Sequence, residues 1–285
     1  MGQGNQIQGV GHADLVHAAD GSWWAVFLGF RVTQPYSYYH ILGRETFLAP
    51  VDWPKNGWPQ VNGNGIINSD MQVPTLPRQP FEEQADRTDF DIPKLGYEWQ
   101  YLRNPVPANY SLTERKGSVR ISASPFTLNQ AEAVSFIGRR QTEHHFTAAT
   151  NVEINSTKEE EEAGLTLIQN STHHYDFLLK RKGGRFAIQL RVVVGSLSYL
   201  AAEELIDDPK VSLQVTGEPL NYTFSYFNTK AGKFVELKKL DTRYLSTEVA
   251  GGFTGVMIGL YASSNGQKTS SKAYFDWFDY RVSKP

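Results

Sequence analysis

Phe186-Ala187-Ile188-Gln189-Leu190-Arg191-Val192, just beyond the turn pair Gly183-Gly184, alternates apolar and polar side chains with a period of two. That period belongs to a strand, in which successive side chains point to opposite faces of a sheet. The same rhythm follows the turn Ala19-Asp20-Gly21, in Trp23-Trp24-Ala25-Val26-Phe27-Leu28. Further strand-like runs cover Tyr222 to Phe227, Thr254 to Tyr261 and Tyr274 to Val282. Helical periodicity is nearly absent. Many short strands between turn residues predict an all-β chain built as a sandwich, barrel or propeller.

Composition agrees. The 285 residues carry 13% aromatic side chains with 24 Gly and 14 Pro, a mixture suited to short strands and tight turns. Most of the rings are read as strand packing, and a few as surfaces for stacking on sugars. A net charge of −2 provides no electrostatic reason to expect nucleic acid or an anionic membrane as partner. No apolar run approaches the ~20 residues of a membrane-spanning helix, so a soluble protein is expected. Zero cysteines exclude disulfide scaffolds, cysteine-ligated zinc and thiol catalysis. The opening Met1-Gly2-Gln3-Gly4 does not read as a signal peptide, which leaves the compartment open.

The length predicts two segments. Between about Val73 and Asp89 the prolines Pro74, Pro77 and Pro80 cluster before the polar stretch Glu82-Glu83-Gln84-Ala85-Asp86-Arg87, the composition of a linker. Residues 1–73 are therefore read as one segment, 74–88 as the linker and 89–285 as one large antiparallel sandwich. The run Glu159-Glu160-Glu161-Glu162 reads as a solvated loop, and Lys180-Arg181-Lys182 as a hairpin tip. The adjacent pairs His144-His145 and His173-His174 point to opposite strand faces and suit no single transition metal.

In the first segment Gly11-His12-Ala13-Asp14-Leu15-Val16 and Asp20-Gly21-Ser22-Trp23-Trp24 form strand, turn and strand. A second strand pair follows in Leu42-Gly43-Arg44-Glu45-Thr46-Phe47-Leu48-Ala49-Pro50 and Gly57-Trp58-Pro59. The glycines before His12 and Arg44 would let the backbone approach a ligand closely.

These strings resemble the end of the catalytic domain of glycoside hydrolase family 43, in its two-domain β-xylosidases and α-L-arabinofuranosidases. The resemblance continues downstream through Asp89-Phe90-Asp91, Glu98-Trp99, Leu102-Arg103-Asn104-Pro105, Ser135-Phe136-Ile137-Gly138-Arg139-Arg140-Gln141, Gly251-Gly252-Phe253-Thr254-Gly255 and Phe275-Asp276-Trp277-Phe278-Asp279-Tyr280. It covers essentially the whole chain. It implies about one blade of a five-bladed β-propeller followed by a concanavalin-like β-sandwich, or jelly roll. The activity it implies is inverting removal of xylosyl or arabinofuranosyl units from hemicellulose oligosaccharides, which needs an acid and a base about 6.5–9.5 Å apart. In the family those carboxylates come from earlier blades, so this chain is expected to be inactive alone. Asp14 and Glu45 match none of them and are read as charge or hydrogen-bond partners, Glu45 holding a neighbouring strand or loop.

Residue by residue, the resemblance makes His12 the histidine beneath the active-site floor and Arg44 the arginine that meets hydroxyls of the terminal sugar. Phe253 is the candidate for a lid contact from the sandwich, with a core phenylalanine as the alternative. No cofactor is required for the chemistry. Similar sandwiches often hold a structural Ca²⁺ where first and last strands meet, which singles out Asp89, Asp91 and Asp276 beside the reading that they merely face solvent. The expected partners are a xylo- or arabino-oligosaccharide and the remaining blades on another polypeptide, or a second copy of the chain. A carbohydrate-binding or structural sandwich module is the alternative function. The first 73 residues are expected to lie against the sandwich, to be partly mobile, or to drive self-association.

Overall fold

The computed structural model describes residues 5–34, 38–73, 75–81 and 84–283. The opening residues 1–4 and the linker residues Pro74, Glu82 and Glu83 lie outside them. The regular secondary structure of the described residues is nearly all strand.

Four antiparallel strands make the first sheet, in the order β1 (Ile7–His17), β2 (Trp23–Arg31), β3 (Glu45–Asp52) and β4 (Gln60–Val61). The β1–β2 turn is held by Asp20, whose carboxylate accepts the Ser22 backbone N–H at 3.0 Å and its hydroxyl at 2.6 Å. Alternation puts Ala25, Phe27, Ala49 and Val51 on one face, where Ile7 and Ile67 complete a small core. Beyond Ile7, β1 is exposed for most of its length, and Val10, Leu15 and Val16 lie open. β1 is bulged twice against β2, once between Gln8 and Gly11 and again between Gly11 and Asp14. The bulges take Gly9 and His12 to φ of 60° and 54°, and such kinks re-aim side chains at the ends of sheets.

Two larger sheets follow. The eight-stranded sheet runs β17 (Lys233–Asp241), β16 (Asn221–Asn228), β15 (Lys210–Gly217), β10 (Phe146–Asn155), β19 (Lys272–Val282), β8 (Val119–Ser122) and β7 (Tyr110–Ser111), with β5 (Arg87–Thr88) also paired to β19. The seven-stranded sheet runs β14 (Leu197–Ile206), β13 (Arg185–Val194), β12 (His173–Lys182), β11 (Glu162–Asn170), β18 (Met257–Ser263), β9 (Ser135–Arg140) and β6 (Gln100–Tyr101). Their facing sides share one apolar core. Phe177 of β12 meets Phe224 of β16 edge-on at 5.5 Å, and Tyr175 meets Tyr222 at 6.4 Å. Aromatic pairs of this geometry add to the burial that holds two sheets face to face.

The sheets divide the chain where its composition changes, but the packing crosses that line. Ile41 and Leu42, from the segment leading into β3, are buried in the sandwich core. Ile41 O accepts the Val256 N–H at 2.8 Å, and Gly43 forms a bridge with Thr254. Where a strand is expected from Thr254, the regular strand therefore starts at Met257, because Thr254 to Val256 bond to the first segment instead. A β carbon on Gly43 would lie 2.2 Å from Gly255 N, and one on Gly255 would lie 2.1 Å from Leu42 O. The close approach predicted for the glycine before Arg44 is thus to the sandwich backbone. Gly11, before His12, has nothing within 4 Å of an added β carbon.

The linker is also engaged. Gln84 accepts from Arg139 at 2.8 Å, Asp86 O accepts the Tyr280 N–H at 2.7 Å, and pairing with β19 has begun by Arg87. The acidic run departs from its solvated reading, since Glu161 and Glu162 are 2% and 1% exposed. Glu161 accepts from Ser156 Oγ at 2.7 Å and from the backbone of Thr157, and Glu162 pairs with Arg191 at 2.8 Å. Arg191 also holds Asp176, which accepts from His174 Nδ1 at 2.7 Å, inside a buried network.

Candidate functional site

Arg44 leads into β3 at the junction of blade and sandwich. Its backbone N–H donates to Phe253 O at 3.2 Å, and its guanidinium carbon lies 3.9 Å from the centroid of the Phe253 ring. Phe253 is 64% exposed, and Arg44 is exposed too. No carboxylate is ion-paired to Arg44 among the described residues, so its planar fork of donors faces outward over an aromatic floor.

Phe253 is presented by a turn that needs glycine. Gly251 and Gly252 have φ of 77° and 85°, where side chains other than glycine are strained. Both ends of the turn are pinned from β11. Asn170 Nδ2 donates to Ala250 O at 2.8 Å, and Gln169 Nε2 donates to Thr254 O at 2.5 Å. Behind the turn, helix α1 (Thr247–Ala250) carries Glu248 to His40. One Glu248 oxygen accepts the His40 backbone N–H at 2.9 Å, and the other meets His40 Nδ1 at 2.5 Å. Burial pushes the Glu248 carboxyl up, but hydrogen bonds from His40 outweigh it and leave the pKa lowered. The His40 ring stacks on Phe30 of β2 at 3.9 Å.

A second clamp lies beneath. Arg31 of β2 pairs with Glu45 of β3 at 2.8 Å and with Glu143 of the sandwich at 2.5 Å, and donates to Thr142 O at 2.7 Å. Burial alone would lower the guanidinium pKa, and the two glutamates raise it overall. Glu45 therefore holds β2 to β3, with both oxygens taken by Arg31. Beside Arg31 a cavity of about 460 Å³ is lined by Val32, Glu143, His144 and Pro219. Burial, with Arg31 nearby, pushes the His144 pKa down to about 4.

His12 sits on β1, exposed, at its bulge. The register runs from Gly11 through Leu28 to Thr46, so His12 and Arg44 stand two strands and about three residues apart. Strand spacing makes that on the order of 14 Å between α carbons. Asp14 lies exposed two residues further along β1. The structure thus brings Arg44 and Phe253 together and leaves His12 apart on the edge strand β1. The pinning residues Gln169, Asn170, His40 and Glu248 carried no functional reading in the sequence.

The three acids proposed for Ca²⁺ are differently engaged. Asp89 accepts from Arg87 Nε at 2.6 Å. Asp276 accepts from Ser118 Oγ at 2.9 Å and Lys210 Nζ at 2.6 Å. Asp91 faces Gly117, whose added β carbon would lie 3.7 Å from its oxygen. Among the described residues no three histidine or acidic side chains are grouped as a metal ion requires. With cations already on two of the three, this donor set does not fit Ca²⁺.

Residues 87–281 match the family described as "Beta xylosidase C-terminal Concanavalin A-like domain", and residues 2–59 match "Glycosyl hydrolases family 43". The chain belongs to glycosyl hydrolase family 43. This family 43 chain is 42% identical over 276 residues to the non-reducing end α-L-arabinofuranosidase BoGH43B of Bacteroides ovatus, covering 96% of the chain and 51% of that protein. It is 31% identical to a xylosidase/arabinosidase of Butyrivibrio fibrisolvens, covering 98% and 53%. Among solved structures, "Bacteroides ovatus Xyloglucan PUL GH43B" superposes with a TM-score of 0.91 at 40% identity, over 98% of the chain and 55% of that one. The chain spans about half the length of the relatives it matches. The likeness runs through both blade and sandwich, so their relative placement belongs to the family 43 fold. Among the described residues no helix is long and apolar enough to cross a membrane.

Proposed function

We propose that this chain supplies the final propeller blade and the C-terminal sandwich of an inverting glycosidase that removes xylosyl or arabinofuranosyl units from the non-reducing ends of hemicellulose oligosaccharides. The observation that carries this reading is the Arg44–Phe253 pair, an exposed guanidinium held over an exposed ring. Two guanidinium N–H groups suit two adjacent sugar hydroxyls, and the ring covers an apolar sugar face. Phe253 closes the pocket from the sandwich side, which favours release of single sugars. His12, on the innermost strand of the blade, lies toward the channel beneath the reacting groups. The names of the relatives support this substrate class.

Acid and base come from blades outside this chain. Asp14 and Glu45 fill neither role, since Glu45 is consumed by Arg31. The open face of the blade supports this reading. A groove of about 540 Å³ lined by Val10, Gly11, Ala25, Phe27, Val61 and Ile67 exposes apolar surface of the kind a neighbouring blade covers.

Reconstitution tests the proposal. The chain is mixed with a polypeptide carrying the first four blades of a family 43 relative, and p-nitrophenyl xyloside and arabinofuranoside are assayed. Turnover that needs both polypeptides supports the reading. A stable complex that binds neither xylose nor arabinose overturns it.

A further inference from the structure

Exposed apolar side chains precede Phe253 in the chain and recur on the edge strand β14. α1 follows the short turn Thr242–Leu245 and exposes Val249, and that turn exposes Tyr244. Arg243 lies 5.8 Å over the ring of Tyr39, which directly precedes the clamped His40. Tyr244 and Tyr199 both lie near Tyr175, whose hydroxyl donates to Asp241 O at 2.6 Å at the edge of the core. Tyr199 is 55% exposed on β14, the last strand of its sheet, beside Leu197 at 70%. No protein hydrogen bond takes up the hydroxyl of Tyr199 or Tyr244 among the described residues.

We propose that the strip Tyr199, Tyr244, Val249 binds the main chain of the oligosaccharide on the leaving-group side of the site, while the terminal sugar meets Phe253 and Arg44. This deepens the function proposed above and rests on it. Three features point to a neutral sugar chain. Along the chain, α1 and the two-glycine turn join Tyr244 and Val249 to Phe253 of the Arg44–Phe253 site. Its tyrosines combine a flat apolar face with a free hydroxyl, matching a pyranose that is apolar on its face and polar at its rim. Its cation, Arg243, is already neutralised by Asp241 at 2.5 Å, so the strip offers little to an anionic ligand. Exposed apolar surface arranged in this way marks an interaction site.

The test titrates the chain with xylohexaose by calorimetry, with sedimentation of every variant. Wild-type chain binds the hexaose. Tyr199→Ala and Tyr244→Ala each weaken binding about tenfold, the effect of one lost ring contact. Tyr199→Phe and Tyr244→Phe retain binding within about twofold, and unchanged thermal unfolding shows that all four variants fold. Arg44→Ala affects the hexaose less than either alanine variant does. Loss of end-sugar recognition in the reconstituted enzyme with hexaose binding intact would overturn the Arg44 reading alone. Hexaose binding that is absent, or indifferent to the tyrosines, overturns the strip. So does a concentration-dependent dimer that Tyr199→Ala abolishes, which would make the strip a contact between copies.

Discussion

The guanidinium of Arg44 lies 3.9 Å over the ring of Phe253, and one residue belongs to the blade while the other belongs to the sandwich. A sugar contact assembled from both domains depends on their fixed placement. In the reconstituted enzyme Arg44→Ala is expected to lower kcat/KM about 100-fold, the worth of a charged hydrogen bond pair of about 3 kcal/mol. Phe253→Ala should act more mildly, about tenfold, and mainly through KM. Steady-state kinetics on both aryl glycosides separates the two.

Gly43 and Gly255 set that placement. Gly43→Ala combines a φ of 76° with a contact of 2.2 Å to backbone, and neither can relax cheaply. The variant should lose about 3 kcal/mol or more, read by urea denaturation. Gly183→Ala is the control, with positive φ but open space, and should cost about 1 kcal/mol. Equal losses would mean that the junction contributes nothing beyond strain.

Glu248→Ala removes the partner of two buried His40 groups at once. A loss of about 2 kcal/mol is expected, with Glu248→Gln recovering part of it because an amide oxygen still accepts from the His40 N–H. Amide exchange should show faster opening of residues 250–254 in the alanine variant than in wild type.

Acid should loosen the junction. His144 is held neutral, with its folded pKa depressed to about 4 from an ordinary 6.5. Between those values the unfolded chain binds more protons, so stability rises with pH across that window and is lost as pH falls through it. Full protonation of the buried ring in acid costs the fold on the order of 3 kcal/mol relative to neutral pH. Tm measured from pH 7 to 4 should fall more steeply for wild type than for His144→Leu. Parallel profiles would remove His144 from the account.

Strand content is legible because alternation is a local signal. Resemblance singles out Arg44 and Phe253, but their contact is not legible in the sequence, since nothing local links the two loops. Ile41-Leu42 reads as too short an apolar run to be noticed, yet it plugs the sandwich core. Gly43 is the available signal, and a glycine before Arg44 reads toward a ligand, whereas its close contact is to the backbone at Gly255. Glu161 and Glu162 misled because charge runs are usually solvated, and the partners that bury them, Ser156 and Arg191, arrive through the fold. Asp89 and Asp276 are lone acids whose partners the sequence does not assign, and in the fold they meet Arg87 and Lys210.

The central claim is that this chain contains the residues that grip the sugar and not those that cleave it. Turnover of p-nitrophenyl xyloside and arabinofuranoside by the purified chain alone measures that directly. The account predicts no turnover above the buffer rate, for wild type and for Asp14→Asn and Glu45→Gln alike. Turnover by the chain alone that either substitution abolishes would contradict it.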